Sequence, residues 1–390
     1  MGARDAAGAI RPSAHLTAAG RAAAALVVAV LVHLAPAGAA PLRAQAAPRR
    51  DTLRIVHVGD INLARTVGRR ILRGEGDSVF RDMRAALQAA DVAIGNLESV
   101  LVDRGDTTDA ANAMTFSGPK QGAALLRDAG FTMVTTANNH AWDRGQRGLL
   151  QSLAHLDSAG VRHAGTGTTR EEAWRPAIIR RGGWTIAVVS MTRVFNGPGM
   201  NLAGTGPACC IAWADSLRFR DAARWARDSA GADVVLASVH GGVEYRATPR
   251  PQDAAFLQAL VRAGADAVIG HHPHVPQGIE WVEGKPILHS LGNFVFLQSS
   301  AWTRRGLWAE LVVAPDRAIT VRVRPVQATL RPRFATGRDS AAVMTHVDSL
   351  SRRLGRRAVE PARTRARTGS DVTPRRGPPR DSVRRDPLRR

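Results

Sequence analysis

The sequence predicts an α/β fold, and three observations carry that reading. From residue 53 onward, short apolar runs alternate with segments of helical periodicity. Several of the periodic segments stop at glycine, the residue that most readily takes the left-handed conformation ending a helix. Two further apolar runs near the end flank APDR, a turn between hairpin strands. Strand and helix alternating at this spacing imply largely buried sheets with helices over their faces.

The strands are expected at 53–61 (LRIVHVGDI), 91–98 (DVAIGNLE), 131–139 (FTMVTTANN), 161–167 (VRHAGTG), 184–192 (WTIAVVSMT), 233–242 (DVVLASVHGG), 266–274 (DAVIGHHPH) and 286–296 (PILHSLGNFVF). The helices are expected at 77–90, 119–130, 147–160, 217–231 and 251–265, each with apolar residues three and four apart. LWAELVVA and ITVRVRPVQATL form the hairpin, and no internal repeat is visible. One domain over 50–335 follows, with a short helix over 339–355.

The two ends differ from this body. Arg4, Arg11 and Arg21 precede an apolar stretch from Ala22 to Leu34, which passes into small residues. That order is a secretory signal over 1–46, with cleavage after APAGAA or after Ala44–Gln45–Ala46. The apolar core is shorter than the roughly 20 residues of a spanning helix; an uncleaved anchor is the alternative. Either places the bulk of the chain outside the cytoplasm, secreted, periplasmic or anchored at the cell envelope. At the other end, residues 351–390 hold 14 Arg against four acids and almost no large apolar residues. A segment that buries so little cannot offset its ordering entropy, so 356–390 is expected to be a disordered basic tail, able to touch a membrane surface.

The net charge of +21 invites a nucleic-acid reading. Its concentration in the tail, a single Tyr and the lack of a stacking platform argue against it. The two cysteines, Cys209 and Cys210, are adjacent. Neighbouring positions suit a disulfide poorly and cannot alone cage a metal, so they are expected to be two small, partly buried thiols.

Function-bearing residues gather where strands end. HVGDIN supplies Asp60 and Asn62, IGNLE supplies Asn96 and Glu98, and TTANNH supplies Asn138, Asn139 and His140. SVHGGVEY supplies His240 and Glu244, and IGHHPH supplies His271, His272 and His274. Each His alone is more ordinary as a core or surface residue, and Asp60 alone could cap a turn. Five such tips in one register are another matter, because open α/β sheets bind ligands beyond the carboxyl ends of their strands. Carboxylate, amide and imidazole together suit Zn, Mn, Fe or Mg, and the absence of nearby thiols disfavours a structural zinc cage.

These stretches resemble the CapA family, the capsule or poly-γ-glutamate synthesis proteins with a metallophosphatase-like domain. The matching segments are VGDINLAR, GNLES, TTANNHAWDRG, HGGVEY, GHHPHVPQG and HSLGNFVF, in the family's order across roughly 53–300. The resemblance implies a four-layer αββα sandwich of the calcineurin-like type and a role in making or moving anionic polymer at the cell surface, beside capsule-synthesis membrane partners. Carried across residue by residue, it implies metal ligation by Asp60, Glu98, Asn139, His240, His272 and His274. Asn62 stands where such phosphoesterases place a His, and GNLE replaces a Gly-Asp motif. Both departures take ligands from one position, so one or two divalent ions are expected.

In a catalytic site the ion would act as Lewis acid on a phosphoryl oxygen and activate water. His140 would serve the leaving oxygen, with Asp143, three residues on, orienting its imidazole. Asn62, Asn96, Asn138, Glu244, His271 and Asn293 are expected around the substrate, and Ser290–Phe294 either cradles it or turns the chain. Two function classes follow: a metal-dependent hydrolase acting on a phosphoester or anionic polymer, and a non-catalytic assembly or export factor on the same scaffold.

Overall fold

A computed structural model describes residues 51–104, 115–196 and 209–355, together with the backbone of 360–361. The expected signal or anchor over 1–46 lies outside the described residues, as does most of the basic tail.

The chain begins with β1 (Leu53–Ile61), α1 (Arg65–Leu72) and a 3-10 turn at Gly76–Ser78. Next come α2 (Arg84–Gln88), β2 (Val92–Leu97), β3 (Val100–Val102), β4 (Ser117–Pro119), α3 (Gln121–Ala129) and β5 (Met133–Thr135). The middle of the chain forms α4 (Gly145–Ala159), β6 (Arg162–Ala164), α5 (Arg170–Trp174), β7 (Ala177–Arg181), β8 (Trp184–Thr192) and α6 (Ser216–Asp228). It continues through β9 (Val234–His240), α7 (Pro251–Arg262), β10 (Ala267–His271), β11 (Ile279–Val282), β12 (Lys285–Leu288) and β13 (Asn293–Val295). The last elements are β14 (Arg305–Val313), β15 (Ile319–Gln327), β16 (Arg333–Phe334), α8 (Gly337–Arg353) and β17 (Glu360–Pro361).

Two large sheets result. The first runs β16-β15-β14-β1-β2-β5-β6, with β13 also on β1 and β17 on β15. The second runs β11-β12-β10-β9-β8-β7. Their centres are parallel: β1 with β2 and β13, β2 with β5, and β9 with β8 and β10. Alternating side chains sort into three apolar layers. Ile55, Ile94 and Met133 of the first sheet meet Ile186, Leu236 and Ile269 of the second. Val56, Val58 and Ala93 face Phe80, Met83, Leu87 and Leu126 under the helices of one side. Val189, Val235 and Val268 face Phe219, Ala223 and Leu260 on the other. This is the αββα sandwich that the resemblance implies.

Local chemistry explains the ends of the helices. α3 and α4 stop at Gly130 and Gly160, both left-handed (φ 105° and 73°), and Asp215 caps α6 by accepting from the N–H groups of Leu217 and Arg218. The expected helix over 77–90 instead breaks into the 3-10 turn and five-residue α2, with Val79, Phe80, Met83 and Leu87 buried. α8 packs Val343 and Val347 into the layer between the sheets.

Three further expectations need correcting. The run over 286–296 is two strands in different sheets, β12 in the second and β13 in the first, with Gly292 at φ 65° between them. Gly59 and Gly270 admit this crossing: a Cβ on either would lie 2.1 Å from Gly292 O or 2.0 Å from His289 O. Cys209 and Cys210 form a disulfide despite a Cα separation of only 3.8 Å. Cys210 is fully buried beside Ala137, Ala141, Leu149 and Leu153, a packed setting that accommodates the small ring. In the tail, Glu360–Pro361 pairs with Arg322 and Val323, because two-residue β16 leaves most of that edge of β15 unpaired.

Candidate metal centre

The parallel strands end at one place. β1 delivers Asp60 opposite Asn96 of β2 and Asn293 of β13, while β9 and β10 end together on His240 and His271. Asp60 ties the two sheets. Its Oδ1 accepts from Asn96 Nδ2 (2.9 Å) and faces His271 Nδ1 (3.1 Å). Its Oδ2 accepts from the His272 N–H (3.3 Å) and faces His274 Nδ1 (3.3 Å). Beyond β10 the chain turns sharply, with His272 and His274 in the left-handed region at φ 96° and 58°. Such conformations are unfavourable for side chains with a Cβ and persist where the surroundings hold them.

Glu98 occupies the middle. Its Oε1 lies 3.6 Å from His240 Nε2, 3.7 Å from His274 Nε2 and 3.9 Å from His140 Nε2. Both carboxylate oxygens are buried and, among the described residues, neither has a hydrogen-bond partner. Burial first, then the charges of Asp60, Glu244 and Asp143, push this carboxyl well above the usual range. Asp60 goes the opposite way: burial alone would raise it, but the hydrogen bonds of His271 and His274 outweigh burial and hold it well below the usual range. Burial with a neighbouring imidazole lowers His240 well below its ordinary value and brings His272 down to about 3. His274 goes the other way: burial lowers it, but the hydrogen bond and charge of Asp60 outweigh burial and raise it.

Two donor groups share Glu98, one with His240 and His272 and one with Asp60 and His274. A third joins Glu244 to His272 and His274. Asn139 Oδ1 adds an oxygen 2.7 Å from His240 Nε2. These nitrogen and oxygen donors, with an orphaned buried carboxylate among them, fit a divalent cation.

His140 stands at the edge of this group. Its Nδ1 is 2.7 Å from Asp143 Oδ2, which also accepts from the Phe116 N–H. A carboxylate on Nδ1 keeps that nitrogen protonated and turns Nε2 toward Glu98. Asn196 Nδ2 is 3.4 Å from the same Nε2, and its Oδ1 accepts from Asn139 Nδ2 (3.0 Å).

Several residues expected at the substrate have supporting places instead. Asn138 donates to Leu97 O and Asn96 Oδ1, and its own Oδ1 accepts from the His140 N–H. Asn62 Oδ1 accepts from the Ala64 N–H at the entrance to α1. Asn96 holds Asp60, and Asn293 faces His274 Nδ1 (2.9 Å) while donating to Thr303 O and Gln298 Oε1. His271 is 1% exposed, with Nδ1 on Asp60. Glu244 alone of the six is partly exposed, beside His272 and His274. Sequence reasoning missed Asn196, although it follows β8 as the other donors follow their strands. It also missed Phe116, which stacks on His140 with centroids 3.8 Å apart; nothing in the sequence places that ring there.

A family profile described as bacterial capsule synthesis protein PGA_cap matches residues 54–298. The chain belongs to this family. Among relatives of this capsule synthesis family, it is 32% identical over 255 residues to the PGA biosynthesis protein CapA of Bacillus subtilis, 65% of each chain. It is 30% identical over 256 residues to the capsule biosynthesis protein CapA of Bacillus anthracis, 65% of this chain and 62% of the relative. A probable polyglutamine synthesis accessory protein of Mycobacterium tuberculosis is 28% identical over 288 residues, 70% of this chain and 75% of its own. The chain therefore spans a little under two thirds of the length of the two Bacillus relatives it matches.

Proposed function

We propose that this protein is a metal-dependent hydrolase working outside the cytoplasm in the biosynthesis of a capsule or poly-γ-glutamate-type anionic polymer, on a phosphoester or related bond. The observation that carries the chemistry is Glu98, a buried carboxylate without a hydrogen-bond partner among the described residues, ringed by imidazoles. The names of the relatives support the polymer, and the sequence of 1–46 supports the location.

Asp60, Glu98, Asn139, His240, His272 and His274 would hold the metal, which supplies Lewis acidity toward a phosphoryl oxygen and an activated water. The chain's own residues do the rest. Asp143 holds the Nδ1–H of His140, so that Nε2 faces the donors; with a second proton on Nε2 the ring can pass that proton to a leaving oxygen and keep the one on Nδ1. Asn96 and the His272 N–H fix the two oxygens of Asp60, and Asn293 steadies the ring of His274.

Metal content of purified protein, with hydrolysis of an aryl phosphate before and after chelation, tests this reading. Stoichiometric metal and chelator-sensitive turnover are expected; metal-free, inactive protein would refute it. A second reading, a polymer-binding assembly factor, is favoured by Asn62, which replaces a histidine and is turned onto the Ala64 N–H. Inactive protein that binds polyglutamate would select it.

A further inference from the structure

Beside His140 lies a cation that the proposed hydrolysis does not use. Arg65 opens α1 with its guanidinium carbon 4.5 Å from the centre of the Phe116 ring. Phe116 in turn stacks on His140, centroids 3.8 Å apart and planes 21° apart. Phe116 also meets Phe296 edge-on at 5.7 Å, and Phe296 packs 4.9 Å from His274. Aromatic rings thus form one wall of the centre, and Arg65 sits on that wall one ring away from His140.

The guanidinium is poorly supplied with counter-charge. Among the described residues no carboxylate forms an ion pair with it. The acid whose charge acts on it, Asp143, already faces His140 Nδ1 and accepts from the Phe116 N–H. Arg65 is half-buried, and burial outweighs the pull of Asp143 in lowering its affinity for a proton. Its backbone is left-handed, φ 53°, an uncommon state for a long side chain. A stacked guanidinium whose N–H groups meet no acceptor among the described residues is well suited to clasp the two oxygens of an oxyanion.

We propose that Arg65 is the binding residue for an anionic group on the unit of substrate next to the one held at Glu98 and His140. A chain of repeating oxyanions bound across the Phe116 wall places one unit at the metal ligands and its neighbour at Arg65. The identity of the polymer rests on the function proposed above; the oxyanion subsite rests on the Arg65–Phe116–His140 stack.

Arg65→Asn removes the cation while keeping a residue that tolerates a left-handed backbone. Arg65→Lys keeps the charge but not the fork. Binding to the full chain is measured by fluorescence anisotropy, with an oligomer of γ-linked glutamate, the same oligomer with its side carboxyls amidated, and a short polyphosphate. Circular dichroism and metal content establish that each variant is folded and loaded as wild type. We expect Arg65→Asn to weaken one anionic probe by about tenfold or more, the loss of a charged hydrogen-bonding pair, with Arg65→Lys in between. The probe that loses affinity names the oxyanion, carboxylate or phosphoryl, and the amidated oligomer should show no change.

Unchanged affinity for both anionic probes, or an equal loss for the amidated one, would overturn the subsite and leave Arg65 as packing for Phe116. The two ideas fail separately. Wild type that hydrolyses no aryl phosphate defeats the hydrolase reading, whereas the contrast between Arg65→Asn and wild type is read from binding alone.

Discussion

At the scale of single residues, Glu98 and His140 have separable duties. Folding raises the Glu98 carboxyl, chiefly by burial. Such a group destabilises the metal-free fold progressively as pH rises above its ordinary value, until the raised value is reached. Glu98→Gln keeps the shape and removes that charge. Chelated Glu98→Gln protein should therefore melt a few degrees above chelated wild type at neutral pH, yet gain nothing from added metal. A bound ion at a hundred times its Kd contributes about 2.7 kcal/mol to wild type, so calorimetry with and without metal reads both effects. Equal metal-induced shifts in the two proteins would remove Glu98 from the ligand set. His140→Ala should behave differently. It leaves the donors in place, so metal content should hold while kcat falls about 10²- to 10⁴-fold, the range of a lost general acid. Asp143→Asn should lower kcat with KM nearly unchanged, because an amide no longer dictates which ring nitrogen of His140 carries the proton.

Among the elements, the segment between β12 and β13 decides whether the centre assembles. It carries the chain from one sheet to the other and sets Asn293 against His274. Gly59→Ala puts a methyl 2.1 Å from Gly292 O, a backbone atom that cannot swing aside. Overpacking of that kind costs about 1–3 kcal/mol, readable in urea denaturation. Metal affinity should fall with it, since β13 must shift away from β1. The same segment shows where the sequence stops being legible. β1 and β8 were readable to the residue, because Leu53–Ile61 and Trp184–Thr192 are mainly apolar, β-branched runs of strand length with charged residues just outside them. PILHSLGNFVF looks equally continuous, and only its glycine hints at a crossing; membership of two sheets is a tertiary fact. The donor residues were legible because strand ends advertise themselves. Their partition was not: Asn62 and Asn138 hold backbone amides, while Arg65 and Phe116 come from a helix entrance and a loop without any local signal.

For the whole molecule, α8 tests how far the fold extends. The sequence ends its repeating strand–helix pattern near residue 335, and a domain could stop there. In the structure Val343 and Val347 are fully buried in the layer between the sheets. Ser351 Oγ accepts from the Ile279 N–H (2.8 Å) and donates to Val347 O (2.8 Å), so the helix also satisfies the start of β11. A chain ending at 336 would uncover that layer and leave the Ile279 N–H to water. Two buried valines contribute about 3–6 kcal/mol at ordinary transfer values, a large part of the 5–15 kcal/mol that holds a domain together. The truncated protein should aggregate or melt far below the full chain. Ser351→Ala isolates the polar share, because it removes one acceptor and leaves Ile279 buried. A cost of about 1–3 kcal/mol is expected in chemical denaturation. A chain ending at 336 that matched the full protein in melting temperature and metal content would make α8 an appendage rather than part of the sandwich. The layer between the sheets would then have to be closed by β14 and β15 alone.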